Sequence, residues 1–129
     1  MKKVAANGCF DGLHPGHMFY LGFCCAQGDK LYIGINCDEY MRRKKRSNFI
    51  PAEERKKSLL DLGFIEEVII YDEDSACEFI KTVSPDIYCT GEEYREKTME
   101  VKLCKDMGIK VVYIRRIGKW SSTLLRNNL

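Results

Sequence analysis

Strand-like and helix-like runs alternate along this chain, and that alternation restricts its fold more than any other feature. Lys3 to Phe10 reads as a strand closing on Gly8. Gly16 to Gln27 reads as a helix, with Phe19, Leu21, Phe23 and Cys24 available for packing and Gly28 as a stop. Lys30 to Cys37 (KLYIGINC) is a second, largely buried strand. Pro51 then starts a helix with Glu53 and Glu54 in its first turn, where proline and acidic side chains both suit a helix start. Val68 to Tyr71 is a third strand, and Ser75 to Val83 a helix stopped by Ser84-Pro85. Ile87 to Thr90 is a fourth strand, Tyr94 to Met107 a helix ending at Gly108, and Lys110 to Ile114 a fifth strand. Ser121 or Ser122 can cap a last short helix reaching Leu129.

Repeated strand–helix–strand units predict a parallel sheet covered by helices on both faces. The expectation is one Rossmann-like α/β domain over residues 1–129, with five parallel strands in the order 3-2-1-4-5. No linker, repeat or low-complexity tract interrupts it. In such sheets ligands bind beyond the carboxyl ends of the strands, where the strand order reverses. The segments after strands one, four and five are therefore expected to carry the function.

Composition narrows the class of protein. Apolar residues at 45% and charged residues at 31% describe an ordinary soluble globule. A net charge of +2 is too small for a general nucleic-acid binder, although Arg42 to Arg46 is an unbroken basic run. No apolar stretch approaches the ~20 residues of a membrane span and no signal peptide opens the chain, so a cytoplasmic location is expected. The seven cysteines are odd in number and form no C-x-x-C, which argues against a disulfide framework or a zinc site and for buried thiols.

The only two histidines, His14 and His17, stand three residues apart in GCFDGLHPGH, between the first strand and the first helix. Free N–H groups and the dipole at a helix start attract anions, and Gly16 lets backbone come close to a phosphate. Two imidazoles beside that point can donate hydrogen bonds to oxygens that gain charge in a phosphoryl transition state. The competing readings are a loop whose histidines cap or pack, and a two-histidine metal site. Both histidines, the glycines and Asp11 converge on the expected ligand edge, which favours phosphate chemistry.

GCFDGLHPGH resembles the G-x-F-D-x-x-H-x-G-H signature of the cytidylyltransferase-like nucleotidyltransferases, and the first signature of the related class I aminoacyl-tRNA synthetases. Pro51-Ala52-Glu53-Glu54-Arg55 resembles the family's P-x-E-x-R stretch. Cys89 to Tyr94 is similar to its segment after strand four, and Arg116 to Thr123 to its R-T-x-G-I-S-T-T segment. The likeness runs over essentially the whole chain. It implies attack by an acceptor's phosphate oxygen on the α-phosphorus of a nucleoside triphosphate, with pyrophosphate leaving. A phosphomonoester is already an anionic nucleophile, so positioning and charge stabilisation suffice.

Carried over by motif, the resemblance implies that His14 and His17 stabilise the transition state. Lys44 and Arg46 of the basic run would reach the phosphates, with Arg55 behind them. Cys9, Phe10, Asp11, Gly16, Gly91, Glu92, Glu93 and Arg116 would contact the nucleotide, and Ser121, Ser122 and Thr123 its β- and γ-phosphates. Tyr94 and Trp120 would face the acceptor. Asp11 would stand near Mg²⁺ carried by the phosphates; neither zinc nor a flavin prosthetic group is implied, and relatives of this size imply a homodimer.

Two nucleotides remain open. Arg116 ahead of the serines, and the short length, resemble the glycerol-3-phosphate cytidylyltransferases; Gly63 to Val68 departs from their R-Y/W-V-D-E-V, as Ile117 to Trp120 does from T-x-G-I. Asp72 to Ser75, Pro85 to Ile87 and Gly91 to Tyr94 look more like the adenylyltransferase portion of ADP-heptose synthases, which inclines the reading toward ATP and a sugar phosphate. A non-catalytic nucleotide- or RNA-binding module is the alternative of another class. An oxidoreductase is disfavoured because no G-x-G-x-x-G follows the first strand.

Overall fold

The computed structural model describes residues 1–44, 47–92 and 98–115. Five strands, β1 (Lys3–Gly8), β2 (Lys30–Asn36), β3 (Glu67–Tyr71), β4 (Ile87–Gly91) and β5 (Lys110–Ile114), form one sheet in the order β3-β2-β1-β4-β5. Every pairing is parallel. The parallel sheet is what the alternation predicts, and the strand order is the expected 3-2-1-4-5. The order reverses at β1, whose two neighbours are β2 and β4, so the carboxyl end of β1 is the predicted ligand edge.

The helices are α1 (Pro15–Cys25), α2 (Asp38–Arg43), α3 (Ala52–Leu60), α4 (Cys77–Val83) and α5 (Met99–Met107). Successive strand residues point to opposite faces, and each face has its own core. Val4 and Ala6 of β1 pack with Leu21 and Cys24 of α1 and Leu59 of α3. Ala5 packs on the other side with Phe79, Ile80 and Val83 of α4 and Cys104 of α5. Burial on both faces is why β2 reads as a continuous apolar run rather than an alternating one.

One glycine in β2 is required by this packing. A Cβ on Gly34 would lie 2.8 Å from ring carbons of Phe79, whose side chain is buried at the centre of the second core. Gly34→Ala is therefore expected to cost about 1–3 kcal/mol, the usual range for overpacking a filled core. A lower urea midpoint with unchanged slope would show it, whereas an unchanged midpoint would mean that Phe79 can move aside.

Element ends shift by one or a few residues from the sequence expectation, as terminal residues usually do. The first strand stops at Gly8 rather than Phe10, and α1 begins at Pro15 with His14 as its cap. Within the described residues the helix expected from Tyr94 begins at Met99, capped by the Thr98 hydroxyl, which accepts from Val101 N–H at 3.2 Å. The helix expected from Ser121 or Ser122 lies outside the described residues.

A larger difference concerns α2, since the sequence reading assigned no element to residues 38–41 and took Arg42 to Arg46 only as a basic run. Cys37 caps this helix, its sulfur accepting the Tyr40 N–H at 3.4 Å. Asp38 and Glu39 lie in the first turn and Arg42 and Arg43 in the last, each sign at the end that the helix dipole favours.

Candidate active site

A cleft of about 650 Å³ opens at the carboxyl ends of β1 and β4. Its lining includes Cys9, Phe10, Asp11, His14, Gly16 and His17 from the first loop and α1. Gly91 enters from the end of β4. Most of the described residues expected to bind nucleotide are thus gathered around one cavity.

The loop that delivers them is strained. Phe10 adopts φ +49°, a left-handed conformation costly for a bulky side chain, and Gly12 follows at φ +95°. Asp11 fixes the loop from outside: its Oδ1 accepts the Ile50 N–H at 2.8 Å. Beneath it, the Arg55 guanidinium donates to the carbonyl oxygens of Cys9 at 3.0 Å, Asn36 at 2.8 Å and Ile50 at 2.6 Å. It also pairs with Asp38 at 3.2 Å.

This corrects the role expected for Arg55. The residue is 1% exposed and its described hydrogen bonds go to acceptors inside the protein, so it holds the loop rather than a phosphate. Lys44 likewise stands outside the cleft lining, its ammonium 5.4 Å from the centre of the Tyr40 ring. Arg42 and Arg43 pair with Glu39, Asp72 and Asp74 at the surface. Glu92 is exposed and is not among the lining residues. Arg46, Glu93, Tyr94, Arg116, Trp120, Ser121, Ser122 and Thr123 lie outside the described residues.

The two histidines meet as a stacked pair, ring centres 3.7 Å apart with planes inclined at 27°. Phe10 backs His17 at 5.2 Å. His14 Nδ1 accepts the N–H groups of Gly16 at 3.1 Å and His17 at 3.4 Å. The sequence reading took the helix N–H groups as free to meet an anion; the structure alters that. Pro15 has no N–H, two more are taken by His14 Nδ1, and Met18 N–H bonds to the His14 carbonyl at 3.1 Å. The polarity of the helix end is passed through the imidazole instead. With Nδ1 accepting, the ring hydrogen resides on Nε2, and bonds in series strengthen its donation.

Sequence reasoning missed Asn7, Asn36, Tyr88, Thr90, Thr98 and Arg115, which also line the cleft. Asn7 carried a usable signal, being a polar residue inside an apolar strand. Burial holds the Tyr20 and Tyr88 hydroxyls well above the ordinary tyrosine value, so both remain donors. Tyr20 donates to the Cys89 carbonyl at 3.2 Å and Tyr88 to Asn7 Oδ1 at 2.5 Å. Among the described residues no three His, Cys, Asp or Glu side chains converge to hold a metal, and Asp11 is the one carboxylate of the lining.

Comparison with known proteins agrees with this geometry. A sequence model described as cytidylyltransferase-like matches residues 5–128. The chain is 34% identical over 127 residues, 96% of its length, to the bifunctional protein HldE of Gluconobacter oxydans. It is 44% identical over 98 residues, 74% of its length, to HldE of Campylobacter curvus. It spans 26% and 21% of the length of these two relatives. Among solved structures, the lipopolysaccharide core biosynthesis protein of Thermoplasma volcanium superposes with a TM-score of 0.71 at 29% identity, covering 89% of this chain and 95% of that one. With the signature histidines stacked at the switch point of the expected sheet and the family model matched over nearly every residue, the chain belongs to the cytidylyltransferase-like family of nucleotidyltransferases.

Proposed function

We propose that this domain, residues 1–129, transfers a nucleoside monophosphate from ATP to a sugar phosphate and releases pyrophosphate. The observation that carries the reaction is the stacked His14–His17 pair facing the cleft, with His14 Nε2–H left as a donor. The acceptor's phosphate oxygen attacks the α-phosphorus, the bond to the β-phosphate oxygen breaks, and the imidazoles meet the charge that develops on the α-phosphoryl oxygens. Among the described residues the cleft lining offers one carboxylate, Asp11, so Mg²⁺ fits as an ion carried by the triphosphate rather than one held in a protein cage. There it would neutralise phosphate charge.

The likeness to the HldE proteins and to the lipopolysaccharide core biosynthesis protein supports a sugar phosphate as acceptor. The adenylyltransferase-like segments of the sequence support ATP. A homodimer and a cytoplasmic location complete the proposal, on the family resemblance of the sequence alone. No helix of the described residues is long and apolar enough to cross a membrane.

The test is pyrophosphate release with Mg²⁺, each of the four triphosphates and a panel of phosphomonoesters. ATP with an aldose 1-phosphate is expected to give the fastest release. Faster turnover of CTP with glycerol 3-phosphate would turn the assignment to the other branch of the family. Silence with every pair would favour a binding module.

A further inference from the structure

The cleft has two chemically different walls. On the α1 side stand imidazoles and aromatic rings: His14, His17, Phe10, Phe19 and Tyr20. Strand alternation sets the other wall. Ala6, Ile35 and Cys89 belong to the core beneath α1 and α3, so Asn7, Asn36 and Thr90 project on the opposite face of the sheet. Tyr88 lies in the core beneath α4 and α5, and Thr98 caps α5. Among the described residues this second wall is made of amides and hydroxyls, and Arg115, just past β5, also lines the cleft.

Asn7 is fixed there by two residues distant in sequence. The Tyr88 hydroxyl donates to Asn7 Oδ1 from 81 residues away. Asn7 Nδ2 donates to the Tyr71 hydroxyl at 3.4 Å. With its oxygen occupied by a donor, the carboxamide turns its NH₂ toward Tyr71, and Asn7 is part of the cleft lining. That group has two hydrogens, and the second has no acceptor among the described residues. A polar side chain in the middle strand of a parallel sheet is costly unless such a donor is used.

A phosphate dianion seeks cations or a helix end, which Arg115 and the start of α5 at Thr98 supply, whereas Asn7, Asn36, Tyr88 and Thr90 carry no charge. A flat base seeks aromatic faces, and those line the α1 side. Uncharged hydroxyl groups match what remains. We propose that the Asn7 amide, held in place by Tyr88 and Tyr71, binds a hydroxyl group of the sugar in the acceptor, making this wall the acceptor's specificity subsite. The proposal rests on the reading of the α1 side as the phosphate side. Tyr88 acts through Asn7 and is a positioning residue.

Calorimetric binding of an aldose 1-phosphate and of methyl phosphate, alongside pyrophosphate release, tests it. The unaltered chain is expected to bind the aldose phosphate more tightly, because a site built to hydrogen-bond a hydroxyl discriminates against analogues that lack it. Asn7→Asp replaces the donor by an acceptor of the same shape and should cut the preference about tenfold, with ATP affinity unchanged. The ratio of the two phosphates cancels the added charge. Tyr88→Phe should lower the ratio in the same direction and raise KM for the acceptor rather than reduce kcat, and it decides the matter if Asn7→Asp does not fold. An unaltered chain without the preference, variants that keep it, or a loss that falls on ATP would each overturn the subsite. Absence of pyrophosphate release together with the expected ratios would instead overturn the reaction and leave the subsite standing.

Discussion

His14→Asn is expected to lower kcat by about 100- to 1000-fold while leaving the melting temperature nearly unchanged. The two effects separate because His14 has two tasks on two ring atoms. Nδ1 caps α1, accepting from Gly16 and His17 N–H, and asparagine is among the best replacements for a cap. Nε2–H is the donor toward the cleft, and asparagine cannot place a donor that far along the same direction while its oxygen caps. His14→Ala removes both and should add a stability loss of about 1 kcal/mol to the same kinetic defect. Single-turnover rates and thermal melts on the two variants make the comparison. Should His14→Asn retain more than about a tenth of the wild-type rate, the transition-state role would fail and capping alone would explain the residue. Stacking at 3.7 Å extends the argument to His17, whose ring is placed by His14 on one side and Phe10 on the other.

The sheet was legible in the sequence because each strand is a short apolar run bounded by a turn residue, and parallel pairing needs no side-chain detail. The signature loop was legible because its residues are contiguous. What escaped depended on contacts between distant segments or on residues in unusual roles. A thiol rarely caps a helix, so Cys37 gave no warning of α2, and the arginines after it read only as a basic run. Histidine is an equally uncommon cap, and the sequence therefore suggested free N–H groups where His14 occupies them. Asn7 and Tyr88 meet only once β4 lies beside β1. Arg55 was hardest to read, since a charged residue among Glu53, Glu54, Lys56 and Lys57 looks like part of a solvated helix face, yet α3 turns it inward.

Arg55→Leu is accordingly expected to be the most destabilising single change in the site region, at roughly 3–5 kcal/mol. Leucine matches part of the buried volume but leaves the carbonyl groups of Cys9, Asn36 and Ile50 without the donors they now share. It also leaves Asp38, which still accepts the Ala52 N–H at 2.7 Å, without its cation. The loss falls where strain is already stored, because the Cys9 carbonyl immediately precedes Phe10 at φ +49°. Released from the guanidinium, that peptide can relax toward an ordinary conformation and carry Asp11 and the histidines off their alignment. Arg55→Lys distinguishes clamping from simple filling of space. One ammonium can reach some of the acceptors but cannot span β1, β2 and the residue-50 loop with a planar fork. It should therefore recover part of the stability while kcat stays depressed and the triphosphate KM changes little. A lysine variant with full activity would show that the loop keeps its shape without the fork, and a leucine variant that melts at the wild-type temperature would remove Arg55 from the fold's energetics altogether.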